Sequence, residues 1–256
     1  MPLTASRLFA WHTALFPSGR ADLAKIRAGA WRDDANGPMQ VVSGAIGRQR
    51  VHYQAPKAEH LGAEMSAFLK WFNTSSPIDP LKKAALAHLW FVTIHPFDDG
   101  NGRIARAIAD LVLARSEASP QRFYSMSAQI RTERDTYYRT LEKTQKGTLE
   151  VTPWMAWFLG CLERAIDSAE EALAMVLAKA QFWGHHASAP LNARQIAVLN
   201  RLLDGLEGKL TSSKWARLAK CSQDTASRDI VALMDLGILS KGAAGGRSTC
   251  YEIASR

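Results

Sequence analysis

Two apolar stripes at helical spacing, interrupted by one short polar loop, constrain this chain more than any other feature. Pro80 to Ile94 carries Leu81, Ala84, Ala85, Ala87, His88, Phe91 and Val92 on a helical repeat, and a second repeat begins near Arg103 with Ile104, Ala107, Ile108, Leu111 and Val112. Between them lies His95-Pro96-Phe97-Asp98-Asp99-Gly100-Asn101-Gly102. Pro96 disfavours helix at the residue before it, which places the His95 imidazole at a helix exit. Gly100 and Gly102 admit backbone conformations that a Cβ resists, so successive amides can turn inward as an anion nest. The positive end of the following helix reinforces that nest, and phosphate is its natural occupant.

The side chains around the loop fit the same chemistry. Arg103 and Arg106, about one turn apart, offer fork-shaped donors to phosphate oxygens. Asp99 beside phosphates calls for a bridging hard cation such as Mg²⁺. His95 has the proton affinity to take a hydroxyl proton near neutral pH. His or Asp alone in a loop is more often a cap or a surface residue. Their placement together, ahead of a glycine nest and an arginine pair, favours function. Phe97 reads as core packing on either view.

The stretch from His95 to Arg106 meets every specified position of His-x-Phe-x-Asp/Glu-Gly-Asn-Gly-Arg-x-x-Arg, and so resembles the signature of the Fic family. The resemblance spans about residues 1 to 183 and implies transfer of AMP from ATP to a Ser, Thr or Tyr hydroxyl of a target protein. It implies His95 as general base, Asp99 as Mg²⁺ ligand, and Gly100, Asn101 and Gly102 as the phosphate-binding anion hole. Arg103 would hold the terminal phosphates, and Arg106 would support the loop and the α-phosphate side. Val41 to Tyr53 contains two short β-prone runs around glycines and reads as a hairpin. It resembles the family's flap, which implies a target protein paired along residues 43–53 by strand addition. His52 and Tyr53 are equally read as substrate contacts or as surface packing, and Arg48 and Arg50 as solvent-facing charge. The family places the adenine beside the segment containing Tyr138 and Leu141, which are taken as nucleotide-pocket walls. Ile130, Arg134 and Tyr138 recur there at intervals of four.

The expected fold is mostly α: a helical Fic-type bundle with a short β-hairpin flap, followed by a small winged-helix domain. Residues 59–72 put Leu61, Met65, Phe68, Leu69 and Phe72 on one helix face, and Trp154, Trp157, Phe158 and Cys161 begin a long helix running toward Phe182. Seven of the eight tryptophans precede residue 184, as a compact core in that part requires. The break at Gly184 to Pro190 divides a catalytic domain (1–183) from a terminal domain (191–256), with 184–190 as linker. Beyond it, helices are expected over Ala193–Leu203, Ser212–Ala219 and Thr225–Leu236. Gly242 to Gly246 and the run Ser248 to Ile253 then follow as a wing, the pattern of a winged helix-turn-helix. Its recognition helix would lie within Ser222 to Leu236.

From Leu191 onward ten Lys and Arg stand against six acidic residues, half of the formal net charge of +8. Gln223, Ser227, Arg228, Lys241 and Arg247 could meet DNA, while Asp224 and Asp229 on the same helix oppose it. DNA binding and protein docking both stay open for residues 191–256, as do a homodimer and self-modification. No apolar run approaches the roughly 18 residues of a membrane span, and the start carries no secretion signal. Cys161, Cys221 and Cys250 are scattered without metal-ligand spacing, which suits a reducing cytoplasm. His185-His186 is read as an exposed pair and not as a metal site.

The inhibitory Ser/Thr-x-x-x-Glu-Gly/Asn motif of many Fic proteins has no match before the signature, and Glu207-Gly208 lacks the Ser or Thr at position 203. The expectation is a truncated or alternatively started chain that transfers without an activating mutation. Behind AMP transfer from ATP stand two alternatives: a Fic-type transferase using another nucleotide or phosphate-containing donor, and a non-catalytic DNA-binding regulator.

Overall fold

The computed structural model describes every residue except 22–23, 36, 46, 76, 118–121, 149, 243–248 and 255–256. The chain divides into two compact units, Met1–Ala169 and Glu170–Arg256.

The first unit is helical. It contains α1 (Ala5–Leu15), α2 (Leu61–Asn73), α3 (Pro80–Ile94), α4 (Asn101–Ser116), α5 (Met126–Thr132), α6 (Arg134–Lys146) and the start of α7 (Thr152–His185). Its described strands form two antiparallel pairs, β1 (Arg20–Ala21) with β2 (Ala24–Lys25) and β3 (Gln40–Ser43) with β4 (Arg50–Gln54). The β3–β4 pair is the expected hairpin, called the flap below; Ile46 lies outside the described residues.

The bounds of α3 coincide with the sequence expectation for a local reason. The Asp79 carboxylate accepts from Leu81 N at 2.9 Å and Lys82 N at 3.2 Å, and Pro80 opens the helix where its missing N–H costs nothing. At the other end His95 caps α3 with φ 52° and ψ 57°. Pro96 disfavours further helix at His95, which stands at the helix exit as expected and takes the left-handed conformation, turning the chain out of the helix in one step. The second helix begins at Asn101, two residues before Arg103, because Gly100 (φ 80°) supplies the reversal. Gly102 has no such backbone. It sits in the first turn of α4, where an added Cβ would meet only Arg106 Nη1 at 3.8 Å.

α3 and α4 pack against one another around a core in which Phe68, Phe91, Phe97, Trp154 and Phe158 are wholly buried. Each such side chain contributes about 1.5–3 kcal/mol by leaving water. The Trp154 indole donates to Ala85 O at 2.9 Å, which satisfies its one polar atom. Ile130 belongs to α5 whereas Arg134 and Tyr138 belong to α6, so the four-residue spacing crosses a break at Glu133 and is not one helix face.

The second unit holds the end of α7, then α8 (Ala193–Leu203), α9 (Ser212–Ala219), α10 (Gln223–Asp235) and the antiparallel pair β5 (Leu239–Lys241) and β6 (Tyr251–Ile253). Asn192, Thr211 and Ser222 each cap the helix that follows, Asn192 through a reciprocal pair with Gln195. Leu199, Trp215, Ala226 and Leu233 form its core. α7 continues through Gly184 to His185, since Phe182 and Trp183 pack on this second core. The compact units therefore part at Ala169, inside α7, whereas the sequence reading placed the boundary at 184–190. Arg247 and the expected wing tip from Ala243 to Ser248 lie outside the described residues.

Candidate active site

The exit of α3, the loop and the first turn of α4 open onto a cavity of about 830 Å³. His95, Asp99, Gly100, Asn101, Gly102, Arg103, Arg106, Tyr138 and Leu141 all line it, together with Ser43, His52 and Tyr53 of the flap. The fold thus brings every sequence-named site residue to one place.

At the exit of α3, His95 Nδ1 lies 3.1 Å from Val92 O. A carbonyl can only accept, so Nδ1 carries the proton and Nε2 of the neutral ring keeps its lone pair. Burial pushes the His95 pKa below its ordinary value; the Val92 carbonyl and Asp99 oppose this and Arg32 adds to it. The ring is therefore neutral, and able to accept a proton, near pH 7.

Beneath the loop, Phe97 is fully buried, and the Asn101 side chain clamps its backbone. Phe97 N donates to Asn101 Oδ1 at 3.0 Å, and Asn101 Nδ2 donates to Phe97 O at 2.7 Å. Asn101 therefore shapes the loop with its side chain and has only its backbone amide left for an anion. The first intrahelical bond of α4 runs from Ile104 N to Gly100 O at 3.0 Å. The amides of Asn101, Gly102 and Arg103 precede it and form the helix's positive end.

Gly100 is held where only glycine fits. A Cβ there would lie 2.9 Å from Phe16 Cε2, and its φ is positive. The same Phe16 ring carries the Arg103 guanidinium over its face at 4.5 Å, which steers the cation toward the cavity. Arg103 Nη2 stands 3.5 Å from Asp99 Oδ2, with both side chains about half exposed. Asp99 Oδ1 accepts from Gly100 N at 2.5 Å. Among the described residues no cluster of three or more His, Cys, Asp or Glu can hold a metal. One exposed carboxylate facing a phosphate cradle fits Mg²⁺, which keeps waters and shares one or two carboxylates with substrate phosphates.

On the far wall, Tyr138 is half exposed and Leu141 nearly buried, an aromatic and an apolar surface side by side on α6. Tyr137, beside them, is buried and its hydroxyl lies 3.0 Å from His88 Nε2. Arg50, which sequence left facing solvent, pairs at 3.0 Å with Glu142 of α6 while remaining largely exposed.

Two residues that sequence reasoning missed hold the loop in place. His12 is fully buried and stacks on Phe97 at 4.1 Å with 7° between the rings. Gly29 N donates to its Nδ1 at 3.0 Å, so Nε2 carries the proton and donates to Asp99 O at 3.1 Å. Burial lowers its pKa, in keeping with that neutral form. Arg32 is buried as well: Nε donates to His95 O at 2.8 Å, Nη1 to Asp34 Oδ1 at 2.7 Å, and Nη2 to Pro56 O. It ties the loop after β2, the end of the flap and His95 together. A lone His four residues beyond Leu8 on an apolar face was a readable signal for His12; nothing in the local sequence marks Arg32.

The cavity thus combines an imidazole, the amides that open α4 and an arginine, on a loop between two helices. Residues 2–113 match the profile of the Fic/DOC family. The chain is 35% identical over 117 residues to the protein adenylyltransferase Fic of Nematostella vectensis, covering 44% of this chain and 25% of that protein. It is 30% identical over 132 residues to the protein adenylyltransferase Fic of Drosophila yakuba, covering 50% and 25%. The chain thus spans about a quarter of the length of these curated relatives. Among solved structures, a Fic family protein from Desulfovibrio desulfuricans G20 shares the fold with a TM-score of 0.55 at 21% identity, covering 99% of this chain and 69% of that one.

Proposed function

We propose that this chain is a protein adenylyltransferase that moves AMP from ATP to a Ser, Thr or Tyr hydroxyl of a target protein. The observation that carries this reading is the pairing of His95, with Nε2 free to accept a proton, and the helix-start cradle of Gly100 to Arg103 on one cavity. The adenylyltransferase relatives supply the chemistry of the proposal.

In this reading the target segment lies along the flap, and Tyr138 and Leu141 flank the base. His95 Nε2 takes the hydroxyl proton as that oxygen attacks the α-phosphorus, and pyrophosphate leaves. The amides of Asn101, Gly102 and Arg103 face the developing charge, Arg103 holds the terminal phosphates and Arg106 supports the α-phosphate side. Asp99 would hold Mg²⁺, which when bound neutralises phosphate charge. No covalent intermediate on the enzyme is required.

The test is incubation of the chain with a native lysate, Mg²⁺ and labelled ATP, CTP, GTP or UTP, following label in proteins other than the chain itself. Label from ATP, lost in His95→Ala and Asp99→Ala, is expected. Transfer by His95→Ala at the parent's rate would remove His95 as the base, and label from another nucleotide in place of ATP would replace the donor.

Residues 191–256 are further proposed to form a winged helix with α10 as the candidate recognition helix, on the support of three capped helices followed by the β5–β6 pair. Asp229, counted above against DNA, is buried and bound by Arg194 at 3.1 Å and Asn192 at 3.1 Å. Burial is the largest single influence and would raise its pKa, yet the bonds from Arg194 and Asn192 together with the Arg194 charge outweigh it and the pKa is lowered. Its charge is therefore spent inside the unit, and Asp224 is the acid left exposed at the start of α10. Saturable, salt-dependent binding of the full chain to duplex DNA would assign this unit to nucleic acid, and none at low salt would assign it to protein docking. No helix among the described residues is long and apolar enough to cross a membrane, and the free thiols of Cys161, Cys221 and Cys250 suit the proposed reducing cytoplasm.

A further inference from the structure

The flap holds a second hydrogen-bonded constellation that AMP transfer to a partner protein does not use. Ser43 Oγ lies 2.6 Å from His52 Nε2, and His52 Nδ1 lies 2.7 Å from Glu142 Oε2. A register shift at Val41/Val42 leaves His52 without a cross-strand partner, a bulge of the kind that re-aims a side chain. Glu142 is held as a carboxylate, its pKa lowered to about 2, by Lys146 first and then by His52 and Arg50. A carboxylate can only accept, so Nδ1–H donates to Glu142, which leaves Nε2 facing the Ser43 hydroxyl. Hydroxyl, base and carboxylate stand in the order by which enzymes activate a weak nucleophile.

The other hydroxyls on the same cavity are placed differently. Tyr53 OH donates to Thr93 O at 2.8 Å, and burial pushes its pKa up to about 12. Tyr137 OH is buried against His88, and its pKa is raised by burial. Tyr138 is exposed, with the Arg134 guanidinium over its ring and no imidazole bonded to its oxygen among the bonds described.

We propose that Ser43 is itself an acceptor, so that the chain adenylylates its own flap at this residue with His52 as the base. The proposal rests on the adenylyl-transfer reading above. Ser43 Oγ forms a bond to the α-phosphorus of ATP as the bond from that phosphorus to the pyrophosphate oxygen breaks. The serine proton passes to His52 Nε2 and then to solvent, the imidazolium being held by Glu142, and pyrophosphate carries away the electron pair of the broken bond.

The experiment uses the full chain incubated with ATP and Mg²⁺, digested and mapped by mass spectrometry, with pyrophosphate release followed in parallel. Adenylate is expected on the peptide bearing Ser43, absent in Ser43→Ala and retained in Ser43→Thr. His52→Gln, whose amide still reaches Glu142, should slow labelling of Ser43 by about 100-fold or more, the usual share of a general base. Adenylate on Tyr138 with none on Ser43, or labelling of His52→Gln at the parent's rate with an unchanged melting curve, would overturn the proposal. Pyrophosphate release with an unmodified Ser43 would sink this inference alone. A chain that neither binds ATP nor releases pyrophosphate would take the adenylyl-transfer reading with it.

Discussion

Replacing Arg32 with methionine tests whether the base residue is positioned by a buried cation. The Arg32 side chain has no exposed surface and serves three acceptors, the carbonyls of His95 and Pro56 and the carboxylate of Asp34. Asp34 in turn accepts from Ala58 N at 2.7 Å, so the network also reaches the 3-10 turn Ala58–His60 that leads into α2. Methionine keeps the apolar stem and leaves these acceptors unpaired. Breaking a buried ion pair from one side costs about 3–5 kcal/mol. The Asp34 side chain is 28% exposed and water can reach it, which favours the lower end, about 3 kcal/mol. For a unit of this size that corresponds to a fall in Tm of about 6–12 °C. Thermal melting followed by tryptophan fluorescence reads it, because six of the eight tryptophans lie in the first unit and Trp31 adjoins the substitution.

Arg32→Met should also leave a signature in the pH profile. The positive charge of Arg32 lowers the His95 pKa. Without it the pKa rises, less of the ring is neutral at a given acidic pH, and the acid limb of the transfer rate moves to higher pH. A Tm within about 1 °C of the parent's, equivalent to less than about 0.5 kcal/mol, or an acid limb displaced to lower pH, would refute the reasoning.

Gly100→Ala places a Cβ 2.9 Å from the Phe16 ring and in a left-handed backbone, costing about 1–2 kcal/mol for the conformation and about 1–3 kcal/mol for the crowding. Because Phe16 also carries the Arg103 guanidinium, the KM for ATP should rise as well; unchanged stability and KM would contradict the contact. His88 is buried, with its pKa lowered by burial to about 3, so it is neutral when folded and protonates below about pH 6.5 when unfolded. Its contribution is intact above pH 6.5 and is lost as pH falls toward 3, by up to about 1.4 kcal/mol per pH unit. Denaturant titrations of parent and His88→Gln between pH 7 and 4 should show a shallower loss in the variant, and parallel curves would remove His88 from the account.

Where the chain's own neighbours decide the structure, the sequence was readable. α3, α8 and α9 begin and end where periodicity places them, and each starts at a side-chain cap one residue upstream. The start of α4 was misplaced by two residues because the reversal at Gly100 alone is enough to begin it. Asn101 was legible as part of the signature but not as its clamp, since that role depends on the side chain folding back on Phe97. Arg32 was not legible at all. Its partners His95 and Pro56 are 63 and 24 residues away, and only the folded chain brings three acceptors around it. The compact units divide at Ala169 and not at 184–190 for a similar reason, because Phe182 and Trp183 have the pattern of α7 but the packing of the second core.

The backbone of His95 sets activity and stability against each other. A residue with a Cβ in the left-handed region costs about 1–2 kcal/mol, a penalty glycine would not incur. Helices commonly close on glycine at such a turn, yet this one closes on an imidazole. The residue most favourable to the turn would thus be the one least able to take a proton, and selection for stability alone would erode the site from its first position.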